Sequence, residues 1–319
     1  MAFNALKRGV RTAFARSVPL TVAAFFADDL LARIGVATAD PAPAGHLSGA
    51  DVAADVAYAR KVAGDYVALG VSQGRVAEIG PGGSAATALF LLAGGVDDVE
   101  LLDRFHFPHD ASKLHATYRH IIAEEPALAG RLAATGEIAG VRFHEGEHAA
   151  AERFFAARPG AFDAVCSCAV LEHVTDPLLV LRSATDALKP GGRLVHFVDF
   201  RDHGMFTLGG HDPLTFLTIP EKLYRQISRR RGRPNRVLAD QYRVALSELP
   251  LDWTIRVTSL LGAGPIEPQA YHEIDATARG RAEAMAEAMR PRLVEPFRSL
   301  PASDLAVEGI LITATRTAH

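Results

Sequence analysis

Residues 75–84 read Arg75-Val76-Ala77-Glu78-Ile79-Gly80-Pro81-Gly82-Gly83-Ser84. A short apolar run meets a glycine-rich turn, and an apolar helical pattern follows from Ala85. This is the strand–turn–helix that opens a doubly wound α/β sheet. Gly80 and Gly82 let backbone approach a ligand where a Cβ would clash. Pro81 and Gly83 complete the turn, and Ala85 takes the third small position of G-x-G-x-x-G/A. The N–H groups at the helix start face whatever binds there. Alone, the run fits several adenosine-bearing cofactors.

Working outward, strands and helices alternate. Strands are expected at Arg75–Ile79, Val99–Asp103, Val141–His144, Phe162–Ser167 and Arg193–Phe200. Helices are expected at 50–70, from Ala85 to Ala93, around His115–Glu124, and at Asp176–Leu188. The alternation argues for a mostly parallel sheet covered on both faces, with right-handed crossovers. Beyond residue 200 the rhythm breaks. About fifty residues (201–250) precede the next strand, Trp253–Ser259; a helical stretch runs from about Ile274 to Phe297, and Val307–Thr315 is the last strand.

Composition excludes several classes. The chain has 319 residues, 49% hydrophobic and 22% charged, with a net charge of −3. That suits a large packed core and gives no general argument for nucleic acid as a partner. The two cysteines, Cys166 and Cys168, cannot build a disulfide framework or a four-cysteine zinc site. They are expected to be small buried residues on one strand face, in a reducing cytoplasm. Lys7, Arg8, Arg11 and Arg16 precede an apolar stretch, Val18 to Ala27, that is too short to span a bilayer. Residues 4–34 are expected to form one or two amphipathic helices packed on the main body. The basic start and Phe25–Phe26 allow weak contact with a membrane surface.

Two features narrow the cofactor. Asp103, 23 residues after Gly80 at the end of the second strand, can accept hydrogen bonds from both ribose hydroxyls of an adenosine. Glu78 lies inside the strand before the glycine turn, where it would repel a pyrophosphate but attract the ammonium and sulfonium of S-adenosylmethionine. Phe162-Asp-Ala-Val-Cys-Ser-Cys-Ala-Val-Leu-Glu-His-Val174 and Leu188-Lys-Pro-Gly-Gly-Arg-Leu194 follow in order. Together with Val76–Ser84 and Val99–Asp103, these stretches resemble the class I S-adenosylmethionine-dependent methyltransferases over roughly residues 70–200. More loosely, Asp103-Arg104-Phe105, the run 231–236 and the segment 303–309 resemble methyltransferase-domain proteins of bacterial glycan and secondary-metabolite pathways.

The resemblance implies a Rossmann-like, seven-stranded sheet with its last strand antiparallel, closed by a hairpin of Trp253–Ser259 and Val307–Thr315. It implies a helical extension and linker over 1–48 and a methyltransferase domain over 49–319, with a helical lid insertion at 201–250. Glu78, Gly80, Pro81, Gly82 and Gly83 would line the methionine part of the cofactor. Asp103 would bind the ribose, with Arg104 beside the adenine. Glu147, with Glu145 as its rival, would sit near the adenine amine. Ser167, Cys168 and Ala169 would pass beneath the cofactor, and Leu188–Leu194 would be a turn into the fifth strand.

Methyl transfer needs alignment, exclusion of water and often removal of the acceptor's proton. The ends of the fourth and fifth strands offer Glu172, His173, Asp199, Asp202 and His203. His203 is the leading general base because an imidazole titrates near neutrality. His173 is its rival, and Glu172 and Asp199 are carboxylates that could orient either. A metal site from Asp199, Asp202, His203 and His211 lacks a compact ligand motif, and no metal is expected. The insertion is expected to close over a small-molecule acceptor, hinged at Gly204, Gly209 and Gly210, with Phe206, Phe216 and Tyr224 in the pocket. Arg229, Arg230 and Arg231 would clamp an anionic group. Competing readings are a same-fold enzyme doing other chemistry on S-adenosylmethionine, a non-catalytic scaffold and an NAD-dependent oxidoreductase.

Overall fold

The computed structural model describes residues 16–33, 51–105, 111–228 and 232–318. Eight strands form one sheet: β1 (Arg75–Ile79), β2 (Asp98–Asp103), β3 (Val141–Glu145), β4 (Phe162–Cys168), β5 (Leu188–Asp199), β6 (Leu251–Leu260), β7 (Gly264–Gln269) and β8 (Val307–Arg316). Their order is β3-β2-β1-β4-β5-β8-β6-β7. β1 to β5 pair in parallel, whereas β8 runs antiparallel to both β5 and β6. The chain leaves β1 toward β2 on one side and returns to β4 on the other. The crevice at such a switch point is where open α/β sheets bind ligands.

The seventh expected strand is present, and an eighth lies outside it. β7 pairs only with β6, at the sheet edge. It contains Pro265 and Pro268, which sit comfortably only on an edge strand and read in sequence as turn residues. β6 and β8 pair, with Trp253 opposite Ala314, but β7 and a helix intervene between them. The expected turn at Leu188–Leu194 is the irregular start of β5. The register jumps between Phe162 and Ala164, and Gly191 takes φ +78°.

Alternation along the strands divides the core between two faces. On one face Ala77, Ile79, Phe162, Val165, Leu194, Val198, Ile310 and Ile312 are buried. They lie beneath α5 (Ala151–Ala156), α6 (Pro177–Ala187), α8 (Ala239–Ser247) and α9 (Ala276–Met289). On the other face Val76, Val99, Leu101, Ala164, Cys166 and Val195 pack under α2 (Val52–Ala68), α3 (Ala86–Ala93) and α4 (Ala111–Glu124). The helices begin where their caps dictate. Asp51 accepts from Ala53 and Ala54 N–H, and Asp176 accepts from Leu179 N–H just before Pro177.

α1 (Val18–Arg33) rests on the 201–250 segment. Phe25 meets the Phe206 ring edge-on, and Arg233 lies over Phe25 while pairing with Asp28 at 2.6 Å. Leu20, Phe26, Leu30 and Leu31 of α1 remain exposed. Residues 1–15 lie outside the described residues, as do Arg229, Arg230 and Arg231. Among the described residues, no helix is long and apolar enough to cross a membrane.

Phe154, Phe155 and Phe162 form an aromatic knot between α5 and the sheet. Phe155→Ala should cost about 3–5 kcal/mol in urea unfolding, because the ring is buried and its cavity cannot collapse. Leu208→Ala, at a residue 88% exposed, should change stability by less than about 0.5 kcal/mol. Equal losses at the two positions would contradict this packing.

Candidate active site

The glycine turn after β1 is shaped by two different demands. At Gly80 (φ +70°) a Cβ would run into the Val170 side chain at 2.4 Å, so this glycine seats the turn against the loop after β4. At Gly82 (φ +66°) a Cβ would meet nothing within 4 Å, so the chain there borders open space. Pro81 and Gly83 are buried beneath it. The start of α3 is tied down by Tyr118, whose hydroxyl accepts from Ala85 N–H at 2.8 Å. The sequence reading missed Tyr118, because only the fold carries α4 to this turn.

Glu78 is 4% exposed, and its Oε2 has no hydrogen-bond partner. Burial pushes its carboxyl up to about 8. Tyr58, Tyr66, Cys166 and Cys168 lie close enough to sense its charge, and none of them is a cation. Asp103 ends β2 directly opposite Glu145 of β3. Burial, reinforced by the Glu145 charge, raises it to about 6, although Phe105 and Gly82 N–H groups donate to it. Glu78, Asp103 and Glu145 therefore make an acidic crevice. It suits the ammonium, sulfonium and ribose diol of S-adenosylmethionine.

Arg104 and Glu147, expected separately near the adenine, form a two-pronged ion pair at 2.9 and 3.0 Å beside Asp103. Ser167 is fully buried and shares a 2.8 Å hydrogen bond with His196 Nδ1, so only its backbone is available to a cofactor. Cys168 is half-buried and accepts from the Tyr58 hydroxyl. Cys166 is buried on the same strand face. Ala169 is exposed and adopts φ +55°, a left-handed conformation that a non-glycine residue holds only under constraint.

The ends of β4 and β5 bring Glu172, His173, Asp199 and His203 together. Nε2 of His203 lies 3.8 Å from both Glu172 Oε1 and Asp199 Oδ2, and its ring meets that of His173 edge-on at 4.7 Å. His203 holds φ +49° to do this. Burial lowers both imidazoles; His173, also facing His203, falls to about 4. His173 Nδ1 is 2.6 Å from the Gly232 carbonyl, which fixes its tautomer. Glu172 is 2% exposed, and burial raises it well above the ordinary carboxylate range. Burial also pushes Asp199 up, but the fork it shares with Arg201 outweighs that and holds it low.

Other expected groups serve the architecture. Asp202 is consumed by Gly204, Phe206 and Thr207 N–H groups and the Thr207 hydroxyl, so it cannot orient His203. Tyr224 does not face an acceptor pocket. It is buried, its hydroxyl donates to the Pro234 carbonyl at 2.8 Å, and the Arg236 guanidinium lies over its ring. Phe206 and Phe216 are likewise buried in the core. Asn235, missed within the arginine run, donates to the carbonyls of Leu171 and Val174 and clamps the loop bearing Glu172 and His173.

Residues 50–245 match the family described as "Methyltransferase domain". The chain belongs to this family of S-adenosylmethionine-dependent methyltransferases, and its cofactor is S-adenosylmethionine. It is 51% identical over 43 residues to a ubiquinone biosynthesis O-methyltransferase of Xanthomonas campestris pv. campestris, a match covering 14% of this chain and 18% of that enzyme. The chain thus matches about a fifth of its curated relative's length. A methyltransferase structure from Mesorhizobium loti aligns over 82% of this chain and all of its own, at 15% identity and TM-score 0.43. An O-methyltransferase family protein from Burkholderia thailandensis aligns over 84% of this chain and 58% of its own, at 14% identity and TM-score 0.42.

The cofactor crevice makes a signed pH prediction. Without ligand, Glu78 is mostly protonated at pH 7, and pairing with a bound ammonium requires it to ionise. S-adenosylhomocysteine, which keeps the ammonium, should therefore bind more tightly as pH rises from 6 to 8, by up to about tenfold per unit, and level off above. Calorimetry in buffers of differing ionisation enthalpy should show a released proton. A raised carboxyl pKa also destabilises the ligand-free fold increasingly from the unfolded value, 4.5, up to about 8. Glu78→Gln should accordingly raise the melting temperature at pH 8 while weakening binding and flattening its pH dependence. Asp103→Ala should weaken binding on the order of 10²-fold, the worth of hydrogen bonds to a charged group. Affinity that is flat with pH in the wild type would remove Glu78 from the site.

Proposed function

We propose that the protein moves the methyl group of S-adenosylmethionine to an oxygen or nitrogen atom of a small molecule bound where β4 and β5 end. The observation that carries this reading is the juxtaposition of an acidic cofactor crevice at β1 and β2 with the Glu172–His173–His203–Asp199 group one strand over. Val170, packed on Gly80, belongs to the same loop as Glu172 and His173, so one short segment borders both halves.

In this reading the acceptor's lone pair forms the new bond to the methyl carbon as the sulfur–carbon bond breaks. The electron pair of that bond stays on sulfur and leaves S-adenosylhomocysteine. His203, 29% exposed at its side chain, is the member of the group that reaches the acceptor, and its Nε2 takes the proton and passes it to solvent. The 201–250 segment covers the acceptor. Arg229, Arg230 and Arg231 would favour an anionic one.

The test is an acceptor screen of phenols, carboxylates, amines and sugars with isotopically labelled methyl donor. Label should appear in product with equimolar S-adenosylhomocysteine. His203→Ala should lower kcat by about 10²-fold or more without changing affinity for S-adenosylhomocysteine. Donor consumed without label transfer would favour other chemistry on the same cofactor, and undiminished turnover in the variant would remove His203 from its role.

The exposed apolar residues of α1 follow the basic residues Lys7, Arg8, Arg11 and Arg16, which supports weak contact with an anionic membrane surface. The protein should sediment with anionic vesicles at low salt and be released at high salt; indifference to vesicles at low salt would dismiss the contact.

A further inference from the structure

Glu172 is unusual among the buried acids of this chain. Both of its carboxylate oxygens are buried without a hydrogen-bond partner. The backbone N–H groups of Glu172 and Asp199 and the Arg201 guanidinium favour its charged form but do not offset its burial. An ionised carboxylate here is a buried charge that these groups only partly compensate, and neither oxygen has a side-chain partner within hydrogen-bond distance. His203 keeps a left-handed backbone to bring its ring to the same point.

From these observations we infer that Glu172, His173 and His203 form a binding site for a single first-row divalent cation of the zinc or manganese type. One ligand atom from each lies within 4.8 Å of the other two, the only such group among the described residues. One carboxylate and two imidazoles is a borderline nitrogen–oxygen donor set, chosen by zinc and its neighbours rather than by calcium. His173 is oriented from behind by the Gly232 carbonyl. Such outer hydrogen bonds fix the tautomer of ligating histidines.

The charges agree with this assignment. Asp199 is neutralised by Arg201 and is held away from the cation as an outer neighbour. Glu172 then supplies one negative charge against a dication, and its two bare oxygens gain a partner. Three protein ligands leave coordination positions for water or for an acceptor oxygen, the pattern of catalytic sites rather than structural ones. The inference rests on reading this end of the sheet as the acceptor site, and it alters how the acceptor loses its proton. A cation holding the acceptor oxygen lowers its pKa, so the proton passes to water and His203 acts as a ligand rather than as the base. The set of Asp199, Asp202, His203 and His211, which lacks a compact ligand motif and from which no metal site is expected, is a different one. Asp202 is occupied as a loop cap, and Asp199 by Arg201.

The test is a titration of chelator-stripped full-length protein with Co²⁺, followed by visible absorption and calorimetry without methyl donor. One equivalent should bind with micromolar or tighter affinity and show the d–d bands of a nitrogen–oxygen site. Zn²⁺ should displace it. Glu172→Gln and His203→Ala should each weaken binding by roughly 10²-fold or more, whereas His211→Ala should leave it unchanged. S-adenosylhomocysteine affinity, measured on every variant, reports that the fold and cofactor crevice are intact. No stoichiometric Co²⁺ binding by the wild type, or equal binding by Glu172→Gln and His203→Ala, would overturn the site. Co²⁺ binding that depends on Glu172 and His203, in a protein that fails to bind S-adenosylhomocysteine, would preserve the cation site and reject the cofactor reading instead.

Discussion

The site is organised by a carboxylate buried without a counter-charge. Glu78 sits on a central strand, on the face that also carries Val76 and Cys166, beneath a helix whose Tyr58 and Tyr66 sense its charge. Burying a charge there is costly, and the fold responds by holding a proton on it at neutral pH. A packed hydrophobe would serve the sheet better. What the residue provides is a ready counter-charge for a cationic ligand arriving at the glycine turn. Part of the ligand's binding free energy is then spent on expelling that proton.

Glu100 shows that burial is not itself the signal. It is 1% exposed, one strand away, yet its carboxyl lies at about 2, because Arg75, Arg142 and His144 outweigh the burial that pushes it up. That acid is a closed structural network on the face of β1–β3. Glu78 and Glu172 are also buried but, among the described residues, form no ion pair with an arginine or lysine, and both lie at the carboxyl ends of strands where ligands enter. The difference among the three is partnership, and partnership separates acids that hold the sheet together from acids that await something else.

How much of this is legible in the sequence depends on the range of the interaction. β1 and the glycine turn are fixed locally, by apolar pattern and by backbone freedom at Gly80 and Gly82, and were readable to the residue. The placement of Asp103 also follows from local pattern, because a strand's end can be read from where its apolar run stops. β7 was hidden because its two prolines mimic a turn, and they are tolerated only by its position at the sheet edge. Tyr224 and Phe206 looked like pocket aromatics, since a long segment after β5 suggests a cover. Whether an aromatic faces a ligand or the core is decided by what packs on it, and here that is α1 and Arg236, distant in sequence. Asp202 stood among the groups offered at the strand ends because it lies beside His203 in sequence, but the following glycine-containing turn leaves four donors that Asp202 satisfies first.

The same reasoning explains why the acceptor end became visible only in three dimensions. Glu172 and His173 are adjacent in sequence, but His203 comes from another strand's end, and neither the Leu-Glu-His nor the Asp-His spacing forms a ligand motif. Their convergence requires β4 and β5 to be parallel neighbours, so that both loops leave on the same edge. It also requires two local distortions, Ala169 at φ +55° and His203 at φ +49°, one in each loop. Left-handed conformations at alanine and histidine each carry an energetic cost, smaller at glycine or asparagine. Asn235 secures the first loop from across the fold, and Asp202 secures the second. The strain is thus held in place from outside the loops, as expected where the position of a side chain matters more than the comfort of its backbone.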